Sequence, residues 1–165
     1  MTIIFTYLVT ILATIVLCKQ PLEVFVLLPI VGDEPRRGEA CRVAIDIVFS
    51  EVNNRSDLLQ NYQLRGVYMD EGRGSYLGPV QLAKFKERQG NLSPLMIGPF
   101  FSAGCKAVAA HVHFYDMAMV TVGCSPPQPA TDRRIFPNLY RSKITATFNA
   151  FAKLQFIRDI GNRPP

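Results

Sequence analysis

The sequence predicts a doubly wound α/β domain, a mostly parallel sheet with helices on both faces. Two observations carry this prediction. Short apolar runs of strand length alternate at least four times with stretches of helical periodicity. The first of these runs is apolar without a break, as a strand covered on both faces requires, and strands linked through helices call for right-handed crossovers.

Residues 23–29 (EVFVLLP) read as the first strand, followed by a loop over 31–38. Ala40, Val43, Ala44, Ile47 and Val48 then recur at helical spacing, with Glu39, Asp46 and Glu51 away from them. This predicts a helix burying that stripe and ending near Asn53 and Asn54. Residues 62–69 (YQLRGVYM) form a second strand, and a short helix spans 79–88. Residues 95–97 make a third strand, 104–115 a third helix and 117–122 (MAMVTV) a fourth strand. A proline-rich loop over 123–129 leads to an extended segment at 136–141. The last helix, 146–159, carries Phe148, Phe151, Ala152, Leu154 and Phe156. No internal repeat is visible.

The chain has 165 residues, 48% hydrophobic and 19% charged, which suits one folded domain and argues against disorder. Residues 3–18 are uncharged and apolar apart from three threonines. A spanning helix needs about 20 apolar residues, so residues 1–18 read instead as a signal peptide cleaved near Cys18, with an uncleaved signal anchor as the alternative. Export would make the sequons at Asn54 and Asn91 glycosylation acceptors. It would also leave Cys41, Cys105 and Cys124, an odd number, so at least one stays unpaired within the chain. The net charge of +5 is scattered along the sequence, unlike the clustered basic face of a nucleic-acid binder.

Sheets of this class bind ligands beyond the carboxyl ends of their strands. Two loops fall there: GPFFSAGCK, residues 98–106, and residues 123–125 after the fourth strand. Both should open onto one crevice. Ser102 is a candidate N-cap, and the free N–H groups of that helix mouth suit a carboxylate or phosphate. Every α/β unit has such a corner, however, and most hold nothing. Gly72, Gly74 and Gly78 depart from dinucleotide-loop spacing. His111 and His113 point to different helix faces, and no Cys-x-x-Cys pair exists, so no metal site is expected. No nucleophile has a base within reach of the sequence pattern, so no catalytic residue and no cofactor are expected. The adjacent carboxylates Asp33–Glu34 and Asp70–Glu71 read as solvated loop charges.

Taken in order, several stretches resemble one family. GEACRVAIDIVFSEVNNRSDLLQNYQL (residues 38–64) is similar to the first helix and second strand of the extracellular Venus-flytrap module of metabotropic GABA receptors. GPFFSAGCKAVA resembles that family's third-strand end and Gly-Cys turn. MVTVGCSPPQPATDRRIFPNLYRSKITAT resembles its fourth strand, Ser/Pro loop, Phe-Pro segment and next helix. The module belongs to the wider class of type I periplasmic-binding-protein-like receptor domains, which includes natriuretic-peptide receptors and class C G-protein-coupled receptors.

The resemblance implies that residues 22–161 are part of lobe 1 of a ligand-binding region, with 162–165 its truncated end. A second lobe, a hinge and seven membrane helices would follow in a full receptor. It implies a small amino-acid-like ligand, whose carboxylate would meet Lys106, Gly123 and Ser125, with Lys143 where relatives carry a His. Glu34 or a neighbour stands where the amino-acid-binding subunit has a Trp. These replacements favour a different small anionic ligand, or a non-binding lobe that serves as a receptor heterodimer partner. The family pairs its Gly-Cys cysteine with one after the second strand. That loop, residues 70–75, has none here, which leaves a Cys105–Cys124 bridge between neighbouring strand ends as the expectation. The implied location is the extracellular face of the plasma membrane, or the secreted pool if the chain ends at Pro165. The alternative is a nucleotide-dependent enzyme of doubly wound fold, which would need neither signal cleavage nor glycans.

Overall fold

The computed structural model describes residues 19–32, 34–72, 76–89, 93–121, 123–124, 132–143 and 146–161. The expected signal peptide, Ser125, Asn91 and residues 162–165 lie outside them. Strands β1 (Gln20–Leu28), β2 (Tyr62–Asp70), β3 (Leu95–Ile97), β4 (Ala118–Thr121) and β5 (Leu139–Arg141) form one sheet in the order β2-β1-β3-β4-β5. Every pairing is parallel. Helices α1 (Pro35–Asn54), α2 (Leu77–Gln89), α3 (Ser102–Val112) and α4 (Ala146–Gly161) complete the chain order, with a 3-10 turn at His113–Tyr115 after α3. The doubly wound α/β class is as the alternation predicts.

The sequence of β1 explains its interior place in the sheet. Val24, Val26 and Leu28 pack on one face with Phe49 of α1. Phe25 and Leu27 pack on the other with Leu82 and Phe85 of α2 and Val108 and Val112 of α3. Alternate side chains point to opposite faces, so a strand sandwiched between helices must be apolar at every position. The chain steps from β1 outward to β2, then back across β1 to β3. That reversal places α1 on one face and α2 with α3 on the other, and creates the switch point of the sheet beside β1 and β3.

The first helix corrects one expectation. Its buried face is Gly38, Cys41, Ile45 and Phe49, not the Ala40–Val43–Ala44–Ile47–Val48 stripe. Val43 and Ile47 are 50% and 55% exposed. The reason lies at Gly38, where an added Cβ would sit 1.9 Å from the Pro29 carbonyl oxygen. Only glycine lets the helix start lie directly on the β1 exit, and that contact fixes the rotation of all that follows. The far end is held by Asn53, whose Nδ2 donates to the Leu64 carbonyl at 3.0 Å while its Oδ1 accepts from the Leu64 N–H at 2.7 Å.

Helix α4 stands apart from the core. Phe151, Leu154, Phe156, Ile157 and Ile160 are all at least half exposed. Among the described residues no helix is long and apolar enough to cross a membrane.

Candidate functional site: the strand-end crevice

The carboxyl ends of β1, β3 and β4 and the loops that leave them form the rim of the crevice. The pair Asp70–Glu71 organises that rim, against the expectation of simple solvation. Asp70 Oδ1 accepts from the N–H groups of Ile30 and Val31 at 2.8 and 3.0 Å, fixing the turn that leaves β1. Glu71 donates its own N–H to the Leu28 carbonyl at 3.0 Å. Its side chain then reaches past the end of β1 to the β3–α3 loop. Phe100 N–H donates to Oε2 at 2.7 Å, and Phe101 N–H is shared between Oε1 and Oε2 at 3.2 and 3.3 Å.

The mouth of α3 is therefore filled from inside. Ser102 is the first helical residue rather than the cap, the cap position is Phe101, and the N–H donors just outside the helix serve Glu71. The sharp turn is made by residues 98–101, with Gly98 at φ +105° and its N–H donating to the Val120 carbonyl at 2.9 Å. Gly104 and Cys105, expected at the start of the third helix, lie in the first turns of α3, which begins two residues earlier.

A second link runs from α3 to the β4 exit. Cys105 and Cys124 form a disulfide with their Cα atoms 6.0 Å apart, as expected from the neighbouring strand ends, while Cys41 is a free thiol. Gly123 sits so close to the β3–α3 loop that an added Cβ would meet the Phe100 carbonyl oxygen at 1.9 Å. The loops leaving β1, β3 and β4 thus form one linked series, joined by Asp70–Glu71 on one side and by the disulfide on the other.

Of the site residues expected from the resemblance, Lys106, Gly123 and Lys143 lie among the described residues. Gly123 is half-buried against the β3–α3 loop, and Lys106 is exposed on the second turn of α3. Lys143 is exposed just beyond β5, where Ser142 Oγ donates to the Thr121 carbonyl at 2.9 Å. Glu34, in the loop where the resemblance places a Trp at this residue or a neighbour, pairs with Arg37 at 2.7 Å. It borders a groove of about 550 Å³ that is also lined by Gly32, Pro35 and Arg36. Beside it a smaller hollow of about 280 Å³ is lined by Leu28, Ile30, Arg36, Arg42 and Tyr68 among others. Arg42 lies over the Tyr68 ring at 5.0 Å, and the Tyr68 hydroxyl donates to Asp46. Burial and the Asp46 carboxylate push that hydroxyl above its ordinary range. Asn54 is exposed at the end of α1, beside the start of β2 and so at the opposite end of the sheet from the crevice. Among the described residues no cluster of His, Cys, Asp and Glu could hold a metal ion.

Glu71 is the residue the sequence reading missed. Its side chain is buried, and burial pushes its carboxyl up to about 7; the two backbone donors pull down and the Asp70 charge pushes up. The folded chain therefore binds this proton more tightly than the unfolded chain. The stability from the group is fully present below the ordinary carboxylate range and is lost as pH rises through about 7. Between pH 5 and pH 8 the wild-type chain should lose on the order of 2 kcal/mol that Glu71→Gln does not. Urea midpoints of both chains at the two pH values check this; equal pH dependence would remove the assignment to Glu71.

Residues 40–162 match a family described as the receptor family ligand binding region. The type B gamma-aminobutyric acid receptor subunit 1 of Mus musculus is 26% identical over 135 residues. The match takes in 79% of this chain and 13% of that protein. The Rattus norvegicus subunit 1 gives the same figures. The chain thus spans a small part of the length of these relatives. A leucine-binding protein from Thermotoga maritima superposes with TM-score 0.68 at 19% identity, over 85% of this chain and 38% of that one. A solute-binding protein of R. palustris, solved with 4-hydroxybenzoate, superposes with TM-score 0.65 at 17% identity, over 76% and 32%. These superpositions give the fold, a type I periplasmic-binding-protein-like sheet, and the match over residues 40–162 gives the family. The chain belongs to the receptor family ligand binding region.

Proposed function

We propose that residues 22–161 are the lobe-1 part of an extracellular, GABA-B-like receptor region that senses a small amino-acid-like or other anionic ligand and performs no catalysis. One observation carries this reading: the family match spans the β3 and β4 exits at the switch point, the part of the sheet where such ligands bind. Lys106 and Lys143 supply cationic character at the rim, and Gly123 with Ser125 supplies the loop expected to meet the ligand carboxylate. The test is an NMR titration of the full chain with GABA, glutamate, glycine and leucine. Saturable shifts at Lys106, Gly123 and Lys143 support the reading; their absence for all four overturns the ligand and leaves a partner-type lobe. That second reading is favoured by one feature, the occupation of the α3 mouth by Glu71.

In this reading residues 1–18 are removed on export, Asn54 and Asn91 carry glycans, and the lobe pairs with another subunit at the membrane. A glycan at Asn54 would leave the crevice open, since that end of α1 is remote from it. Secretion from cultured cells should give a chain starting after Cys18, with a mass lowered by endoglycosidase and restored to the peptide value by Asn54→Gln with Asn91→Gln. The apolar outer stripe of α1 supports a subunit contact. Ile47→Asp should leave stability within about 0.5 kcal/mol, as an exposed substitution does, while reducing association in sedimentation with a GABA-B-type lobe. A chain that unfolds instead would place Ile47 in the core.

A further inference from the structure

We propose that Glu71 is an internal counter-anion: it occupies the donor pair before α3 and yields it to an external carboxylate only on taking up a proton. This rests on reading the strand-end crevice as a ligand mouth, and it deepens that reading by making ligand entry proton-coupled. Three observations support it. The carboxylate is buried, both of its oxygens are engaged by the consecutive N–H groups of Phe100 and Phe101, and it comes from the β2 exit, across β1, rather than from the helix itself. A carboxylate in that position makes the contacts a bound anion would make, so a second anion meets both a filled donor pair and a like charge.

Among the described residues, no cation is one of the groups that shift this carboxyl. Asp70, next to it on β2, adds a second negative charge, and Cys41 on α1 has its thiol pushed up by burial and by Glu71. Residues 98–102, which receive the carboxylate, contain no ionisable side chain, and Lys106, the first cation of α3, is exposed. Protonation is the route by which the group can leave the donors without moving a bare charge through a buried space. Exchange then balances as one external carboxylate in and one proton taken up by Glu71. The apparent affinity for the anion should fall by up to tenfold per pH unit above the Glu71 midpoint.

The experiment is NMR of the ¹⁵N-labelled full chain, following the Phe100 and Phe101 amides from pH 5 to pH 8, with sodium acetate as the probe anion. In the wild type both amides should move together through one midpoint well above the ordinary carboxylate range, and Glu71→Gln should flatten the movement. Acetate should perturb these amides at pH 6 and at least tenfold more weakly at pH 8, whereas Glu71→Ala should respond alike at both. Should Glu71→Ala fail to fold, loss of the pH dependence in Glu71→Gln carries the same test. Amides that titrate identically in wild type and Glu71→Gln, or a wild type equally sensitive to acetate at both pH values, would overturn the proposal. The pH titration uses no receptor ligand, so it stands or falls separately from the amino-acid titration above.

Discussion

Replacing Gly98 with alanine should cost about 3 kcal/mol or more and leave little folded protein at 37 °C. Two effects add at this position. The residue holds φ +105°, which only glycine adopts without strain, and an added Cβ would lie 2.1 Å from the Leu27 carbonyl oxygen. The obstruction is backbone of β1, so no rotamer change relieves it. Gly32 provides the control, since it has φ +107° but nothing within 4 Å of the same added atom. Gly32→Ala should therefore cost only the conformational part, about 1 kcal/mol. Urea denaturation of the two variants separates clash from strain; equal losses would show that β3 can shift away from β1 and would refute the tight-contact account.

Removal of the Cys105–Cys124 bridge should have the next largest effect. The bridge closes a segment with a sequence separation of 19, and constraint of an unfolded loop of that size corresponds to about 3 kcal/mol. Both half-cystines are fully buried, so paired serines would add two hydroxyls to the core. Paired alanines are the cleaner substitution. The double variant Cys105→Ala with Cys124→Ala should lower the urea midpoint as much as reducing agent lowers that of the wild type, and reductant should not affect it further. Thiol counting on the unreduced chain truncated before Lys19 should find one reactive group, Cys41. Three would eliminate the bridge and with it the covalent link between α3 and the β4 exit.

The elements were legible in the sequence wherever burial on two faces left no polar position. VFVLL of β1 and LMI of β3 could be read directly, and the alternation with helices gave the parallel sheet. The rotation of α1 was not legible. That helix carries two apolar stripes, and the bulkier set, Val43 with Ile47 and Val48, looks the better core face. The structure buries the set containing Gly38, because the close approach at Pro29 decides the rotation, and no periodicity within the helix encodes that contact. Helix boundaries moved by a few residues for similar reasons; α3 begins at Ser102, once the turn of residues 98–101 is complete, rather than at Gly104.

The strand-end loops were legible as neighbours, as the Cys105–Cys124 bridge shows, but their chemistry was only partly so. Residues 98–106 advertise an anion site, and nothing local reveals that the anion is already supplied. The acceptor, Glu71, lies 29 residues away from Phe100 in sequence and reaches it only because the strand order places β1 between β2 and β3. Two acidic residues directly after a buried strand were the available signal, and they look the same whether they face water or cap a neighbouring loop.

The order of the sheet also bears on biosynthesis. β1 leaves the ribosome before both of the strands that will flank it, and its β3 partners, Met96 and Ile97, come after two further helices and a strand. Until they arrive, the most water-averse segment of the described domain has no lasting shelter on that side. Burial of that side of β1 then waits on long-range closure rather than on local pairing, which slows the last step of sheet formation.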